Sequence, residues 1–149
     1  MSTDLQWLLL RKNNSFIVKR GGVEAQIFSK EPGNPRNLHS HKFSGLANEK
    51  TIDVSDSATG IRITTRKVKA STHAVATARA VSSIRPRSGA RRSLGAAIQP
   101  AKRGYRPDLR TAVLARVSAL VATQTPPKPT PPKKVRGKKA KATTAADPL

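Results

Sequence analysis

The chain has 149 residues, of which 36% are hydrophobic and only 3% aromatic, so one modest core is possible and a large one is not. Its formal net charge of +21, from 29 Lys and Arg against 8 Asp and Glu, makes it repel its own copies and seek a polyanion. It has no cysteine, which excludes disulfides and thiolate metal sites and suits a reducing compartment, and no apolar run approaches the roughly 18 residues of a membrane-spanning helix.

Ser2-Thr3-Asp4 offers an N-cap, and Leu5, Leu8 and Leu9 follow at helical spacing, which predicts a short helix from Thr3 to Arg11. Trp7 lies among apolar residues and reads as part of a core rather than a base-stacking ring. Leu8-Leu9-Leu10 is too short for the apolar stretch of a signal peptide, and Asp4 precedes it. Ser15 to Arg20 alternates as a strand does, Gly21-Gly22 makes a turn, and Glu24 to Ser29 pairs back. Glu31 to Lys42 holds Pro32, Gly33, Pro35 and two asparagines and reads as an irregular loop, with Phe43 and Leu46 tying its far end to the core.

Lys50 to Val54 and Ile61 to Val68 are two further strands, joined through Asp56 to Gly60. In the second, Ile61, Ile63 and Thr65 face one way and Arg62, Thr64 and Arg66 the other, the pattern of a half-buried antiparallel strand with a basic outer face. Lys69 to Arg87 has no clean periodicity and is expected to be extended, with little core of its own. Ser88 is placed to cap a short helix through Ile98, which carries Arg91 and Arg92, is weakened by Gly95 and is ended by Pro100. Lys102-Arg103-Gly104 is a basic loop leading into the next helix.

That helix, Tyr105 to Gln124, has a marked beginning. Pro107 suits a first helical turn, and Asp108 puts a carboxylate near the positive end of the dipole, where it can accept backbone N–H bonds or orient Arg106 or Arg110. Leu109, Val113, Val117, Leu120 and Val121 form one apolar face, and Thr111, Ala115, Ser118, Ala119 and Ala122 a small-residue face opposite. The pattern fits an amphipathic surface helix with solvated arginines. It also fits a helix with one side on the core and the other, with Arg106 and Arg110 on phosphates, against nucleic acid. From Thr125 the composition turns to alternating proline and lysine, which predicts a disordered polycationic tail.

The expected fold class is therefore α+β: a small antiparallel sheet with a short N-terminal helix and C-terminal helices, plus a disordered basic tail. Its segments are a helix-and-sheet core over 1–69, an extended basic segment over 70–104 with a short helix near 88–98, a core-packed helix over 105–124, and the tail over 125–149. Leu5, Leu8, Phe16, Val18, Ile52, Ile61, Ile63, Leu109, Val113 and Leu120 are expected in one buried cluster.

No set of side chains has the spacing of an enzyme site. His39-x-His41 lacks a cysteine or carboxylate partner at a telling spacing and reads as a pair of surface-loop histidines. His73 is isolated, and neither a phosphate loop nor a Gly-x-Ser-x-Gly elbow occurs. Catalytic residues, metal, cofactor and small-molecule substrate are accordingly all expected to be none, and no membrane partner is expected.

The basic residues are the substantial constellation. Through Asp56 there are eight basic against six acidic side chains; after it there are twenty-one against two. The candidate RNA-binding set is Arg62, Arg66, Lys67 and Lys69 from a strand and its exit, and Arg79, Arg85, Arg87, Arg91 and Arg92 from the middle. Lys102, Arg103, Tyr105, Arg106, Arg110 and Arg116 join it from the last loop and helix, and Lys133, Lys134, Arg136, Lys138 and Lys139 from the tail. Any one run could be a solvated face. Arginine dominates, and its planar fork suits phosphate, so backbone and shape contact with folded RNA is the expected mode.

Asp4-Leu5-Gln6-Trp7, Ser15-Phe16-Ile17-Val18-Lys19-Arg20, Ser29-Lys30-Glu31-Pro32, Phe43-Ser44-Gly45-Leu46, Lys50-Thr51 and Tyr105-Arg106-Pro107-Asp108-Leu109-Arg110 occur in one order over residues 4–124. The ordered set resembles the eukaryote-specific large-subunit ribosomal protein family numbered twenty-eight. The resemblance implies a structural component of the cytosolic 60S subunit, reached by way of the nucleus and nucleolus. It also implies large-subunit rRNA and neighbouring 60S ribosomal proteins as partners, and a mixed helix and sheet fold. Pro86 and Gly95 depart from that pattern, as does the Pro- and Lys-rich tail. A related ribosome-assembly factor shares a similar N-terminal domain but carries cysteines and a strongly acidic end, which this chain lacks. A linker-histone-like DNA-packaging protein matches the tail but not the β-rich beginning.

Overall fold

Alternation of isoleucine or valine with polar residues over two adjoining stretches sets the sheet on which the chain is built. The structure, a computed structural model, describes residues 2–21, 26–71, 73–126 and 129–131. Strand β1 is Ile17–Lys19, β2 Ile27–Ser29, β3 Ile52–Ser57, β4 Gly60–Arg66 and β5 Arg79–Ile84. Helix α1 is Thr3–Leu10, α2 Ala90–Ala97, α3 Gln99–Lys102 and α4 Arg110–Gln124, the last preceded by a single 3-10 turn at Pro107–Leu109. The fold is α+β, with one antiparallel sheet in the order β3-β4-β5 and a separate β1-β2 pair.

β3 and β4 pair from Ile52↔Thr65 to Ser57↔Gly60, so only Ala58 and Thr59 form the connection. Gly60 has φ +118, and a Cβ there would lie 2.1 Å from the Ile84 carbonyl oxygen on β5, so glycine alone fits. β5 pairs with β4 residue by residue from Ile61↔Ile84 to Arg66↔Arg79. The stretch expected to be extended thus supplies the third strand. Its pattern is not that of a core strand, because of its six residues only Ile84 is buried; cross-strand hydrogen bonding, not burial, holds it.

One face of this sheet carries the core. Ile52, Val54, Ile61, Ile63 and Ile84 pack against Ala97 of α2, Leu109 of the 3-10 turn, and Val113 and Val117 of α4, with Leu120 and Val121 partly buried at the margin. The apolar stripe of α4 is therefore turned inward as its spacing predicts, and Thr111, Ala115, Ser118, Ala119 and Ala122 are exposed. α2 begins after Gly89 rather than at a capping Ser88. Pro100 does not end the helical run: it sits at the start of the one-turn α3, where a missing N–H costs nothing.

The N-terminal part departs from the expected single cluster. Leu5 (49%), Leu8 (58%), Phe16 (37%) and Val18 (39%) are exposed. The reason is that β1 and β2 are only three residues each and pair with each other rather than joining the main sheet. Trp7, half-buried, holds α1 instead, by stacking on His41 at 5.7 Å and lying 4.9 Å from His39. His39 Nε2 also donates to the Arg11 carbonyl at 2.8 Å, assuming that tautomer. The expected turn at Gly21-Gly22 and the start of its return strand fall partly outside the described residues.

The loop between β2 and β3 is ordered by a buried carboxylate. Glu31 is 3% exposed, receiving hydrogen bonds from Asn34 Nδ2 and Ser44 Oγ, each at 3.0 Å. Asn34 Nδ2 also donates to the Leu38 carbonyl, and Ser44 Oγ accepts from the Ala47 N–H. Within this Glu31 network each side chain has a partner, which rigidifies the loop, whereas His39 Nδ1, Ser40 Oγ and His41 Nε2 farther along it are buried without one. Where its two halves cross, a Cβ on Gly45 would lie 2.0 Å from the Pro32 carbonyl oxygen.

Candidate nucleic-acid interface

Strand parity decides which charges share a surface. With the isoleucines turned to the core, Ser55, Arg62 and Ser83 form one cross-strand row on the opposite face, Asp53, Thr64 and Val81 the next, and Arg66 and Arg79 the third, with the Thr51 carbonyl accepting from the Arg66 N–H just before β3. Among the described residues no helix covers this face. Arg62, Arg66 and Arg79 line a common cleft of about 340 Å3, walled by Pro32-Gly33 and Gly45-Leu46 on one side and by Ala74, Val75 and Ala78 on the other. Arg66 stands directly opposite Arg79, a like-charge pairing that destabilises an antiparallel sheet in the absence of an anion.

Other cations of the candidate set lie elsewhere. Lys67 and Lys69 are exposed just beyond β4, Arg85 and Arg87 beyond β5, Arg91 and Arg92 on α2, Lys102 and Arg103 at the end of α3, and Arg110 at the start of α4. The helices pack on the sheet's apolar side, so these charges are distributed around the molecule instead of forming one plane. Arg103 borders a second, shallow groove between β5 and α3. Lys133, Lys134, Arg136, Lys138 and Lys139 lie outside the described residues.

Three members of the set are engaged by the protein itself. Tyr105 donates from its hydroxyl to the Arg66 carbonyl at 2.5 Å and accepts from the Thr51 N–H at 3.1 Å, clasping the exit of β4 to the start of β3. Burial raises its pKa, against the opposing contacts with Thr51 and Arg66. Arg106, in the left-handed conformation at φ 51, donates from Nε and Nη2 to both oxygens of Asp108, each at 2.9 Å. The same guanidinium reaches the Lys42 carbonyl at 2.8 Å and the Lys50 carbonyl at 2.9 Å. With four bonds to protein acceptors and a side chain 15% exposed, Arg106 acts as a clamp on the fold. Arg116 is half-buried, with Nε directed at the Val54 carbonyl at 3.4 Å.

The side-chain hydrogen bonds of the Asp108 carboxylate come from Arg106, so its main work is to hold that guanidinium. The Arg106 hydrogen bond holds its carboxyl below the ordinary aspartate pKa of 3.8, with burial opposing. Asp53 is the reverse. It sits among the arginines of the sheet cleft, and burial raises its pKa despite nearby N–H groups of Val54 and Gly33 and the charges of Arg116 and Arg79. Reading by charge alone misses Asp53, because it lies in the near-neutral first third of the chain. Its place in the alternation, between Ile52 and Val54, is the signal that puts it on the basic face. Among the described residues no group of three His, Cys, Asp or Glu is placed to hold a metal ion, and no helix is long and apolar enough to cross a membrane.

Comparison with known proteins matches residues 5–123 to the ribosomal L28e protein family. The large ribosomal subunit protein eL28 of Schizosaccharomyces pombe is 33% identical over 132 residues, covering 86% of this chain and 96% of its own. The protein of the same name from Dictyostelium discoideum is 35% identical over 119 residues, covering 78% and 84%. That from Caenorhabditis elegans is 39% identical over 69 residues, 46% of this chain and 54% of its own.

Proposed function

The chain belongs to the ribosomal L28e protein family, and from that premise we propose that it is a structural constituent of the cytosolic large ribosomal subunit that binds large-subunit rRNA. Its other partners are neighbouring proteins of the same subunit, and it passes through the nucleus and nucleolus during assembly. It is not an enzyme. The observation that carries RNA binding is the uncovered sheet face on which Arg62, Arg66 and Arg79 share a cleft and Arg66 opposes Arg79. Such a pairing is unfavourable in the free protein and becomes favourable when phosphates lie across it. Arg110, Lys67 and Lys69, exposed around the fold, extend the contact by charge, and the basic tail beyond Thr125 adds further phosphate neutralisation.

The mode is backbone and shape recognition, with arginine forks on phosphate oxygens. The fold's part is to preset those forks: Tyr105 and Arg106 lock the ends of the sheet and the start of α4 before RNA arrives, which lowers the ordering cost of binding. The test is co-sedimentation. The tagged protein should remain with 60S particles through a high-salt wash that strips loosely bound factors. Recovery in the wash, or on 40S particles or chromatin, refutes the reading.

A further inference from the structure

A basic surface built only for phosphate has no use for a carboxylate at its centre, yet Asp53 lies in the floor of the sheet cleft. It is half-buried, and among the described residues it takes part in no ion pair. Arg79 and Arg116 act on its charge from beyond ion-pair distance, so neither of its oxygens is taken up by a guanidinium. The surrounding groups have the division of labour of a nucleobase site. Leu46 (36% exposed) and Val75 (69%) offer apolar surface on opposite walls. Arg62, Arg66 and Arg79 border the same space. At about 340 Å3 it lies near the lower end of the roughly 300–1,000 Å3 range of small-ligand sites, too small for a helix and adequate for one base.

We propose that this cleft captures one unstacked guanine of a single-stranded RNA segment, with the Asp53 carboxylate accepting from the base and the arginines holding the flanking phosphates. The proposal rests on the RNA-binding reading above and adds a base-specific contact to it. An ionised carboxylate only accepts, through two adjacent oxygens. The Watson–Crick edge of guanine places two donors, N1–H and the N2 amino group, side by side, and so matches both oxygens. Adenine and cytosine present one amino donor next to a ring-nitrogen acceptor, and uracil one imino donor between two carbonyls; each sets an acceptor against the carboxylate. Unpaired bases read on this edge and packed between side chains are the usual route to sequence-specific RNA recognition. A free anion is disfavoured here, because Asp53 would repel it.

The experiment measures the affinity of the full-length protein for short uridine oligoribonucleotides carrying one central guanosine, adenosine, cytidine or uridine, with a large-subunit rRNA fragment alongside. The guanosine oligonucleotide should bind about tenfold or more tightly than the other three, the discrimination of one good bidentate pair. The readout is this ratio, measured where circular dichroism shows each variant folded, because the charge-driven binding of an unfolded chain is sequence-blind and would also bring it toward unity. Asp53→Asn, which replaces one acceptor oxygen with a donor, should bring the ratio near unity. Val75→Glu, at a position too exposed for the fold to need it, should do the same by placing a like charge against the incoming strand. Equal binding of all four oligonucleotides, or a guanosine preference that survives Asp53→Asn, overturns the base pocket while binding of the rRNA fragment leaves the ribosomal reading standing. Failure to bind the rRNA fragment as well defeats both.

Discussion

Arg106→Ala separates a fold-holding arginine from a phosphate-binding one. The substitution removes four hydrogen bonds from one guanidinium, two to Asp108 and one each to the carbonyls of Lys42 and Lys50. The pair with Asp108 is partly solvated, its side chains 15% and 39% exposed, and is worth about 1 kcal/mol after screening. Each carbonyl bond from a charged donor contributes about 1 kcal/mol, below the usual range because water can reach the freed oxygen. The total is about 3 kcal/mol, or roughly 10 °C in the melting temperature of a domain of this size. Alanine does not relieve the left-handed backbone at φ 51, whereas glycine does, so Arg106→Gly should be about 1 kcal/mol less damaging than Arg106→Ala. Thermal unfolding of the free protein followed by circular dichroism measures both. A salt titration of affinity for an rRNA fragment, run where the variants are folded, completes the test. Arg106→Ala should keep the wild-type salt slope, and Arg110→Ala, whose side chain is exposed, should flatten it by about one unit. A melting temperature within about 3 °C of wild type together with a flattened slope for Arg106→Ala refutes the assignment and restores Arg106 as a phosphate ligand.

Two further outcomes test the core and the charges. Leu109→Ala, at a side chain 2% exposed between α4 and the sheet, should cost about 2–5 kcal/mol in denaturant unfolding, and Leu8→Ala, at 58% exposed on α1, less than about 1 kcal/mol; comparable losses contradict the placement of the core. Stability against pH should show the two aspartates acting in opposite directions. Asp108, lowered in the folded state, contributes stability that is full above the ordinary value of 3.8 and is lost as pH falls through its folded pKa, so Asp108→Asn should destabilise near neutrality and converge with wild type in acid. Asp53, raised by burial, opposes folding increasingly as pH climbs from 3.8 through its folded pKa, so the wild type should gain relative to Asp53→Asn on acidification.

Local periodicity determined a good deal of this protein. The inward stripe of α4, the isoleucines of β4, the basic outer face at Arg62 and Arg66, and the family itself through its ordered short motifs all follow from residue order, because each depends on neighbours two to four positions away. What tertiary structure decided is which partner each side chain meets. Tyr105 and Arg106 stand among many cations, and apart from the nearby Asp108 their acceptors lie 39 to 64 residues away in sequence. No local pattern encodes such contacts. β5 carries no apolar alternation and exists through its register on β4. Leu5, Leu8 and Leu9 of α1 have the spacing of a core helix yet remain exposed, because the main sheet's apolar face is already filled by α2 and α4. Glu31 and Asp53 share one charge and one third of the chain, and only the crossing of distant loops and strands buries the first in a polar network and sets the second in a cleft of arginines. A periodic sequence states which face of an element is apolar; what lies opposite that face is a property of the folded chain as a whole.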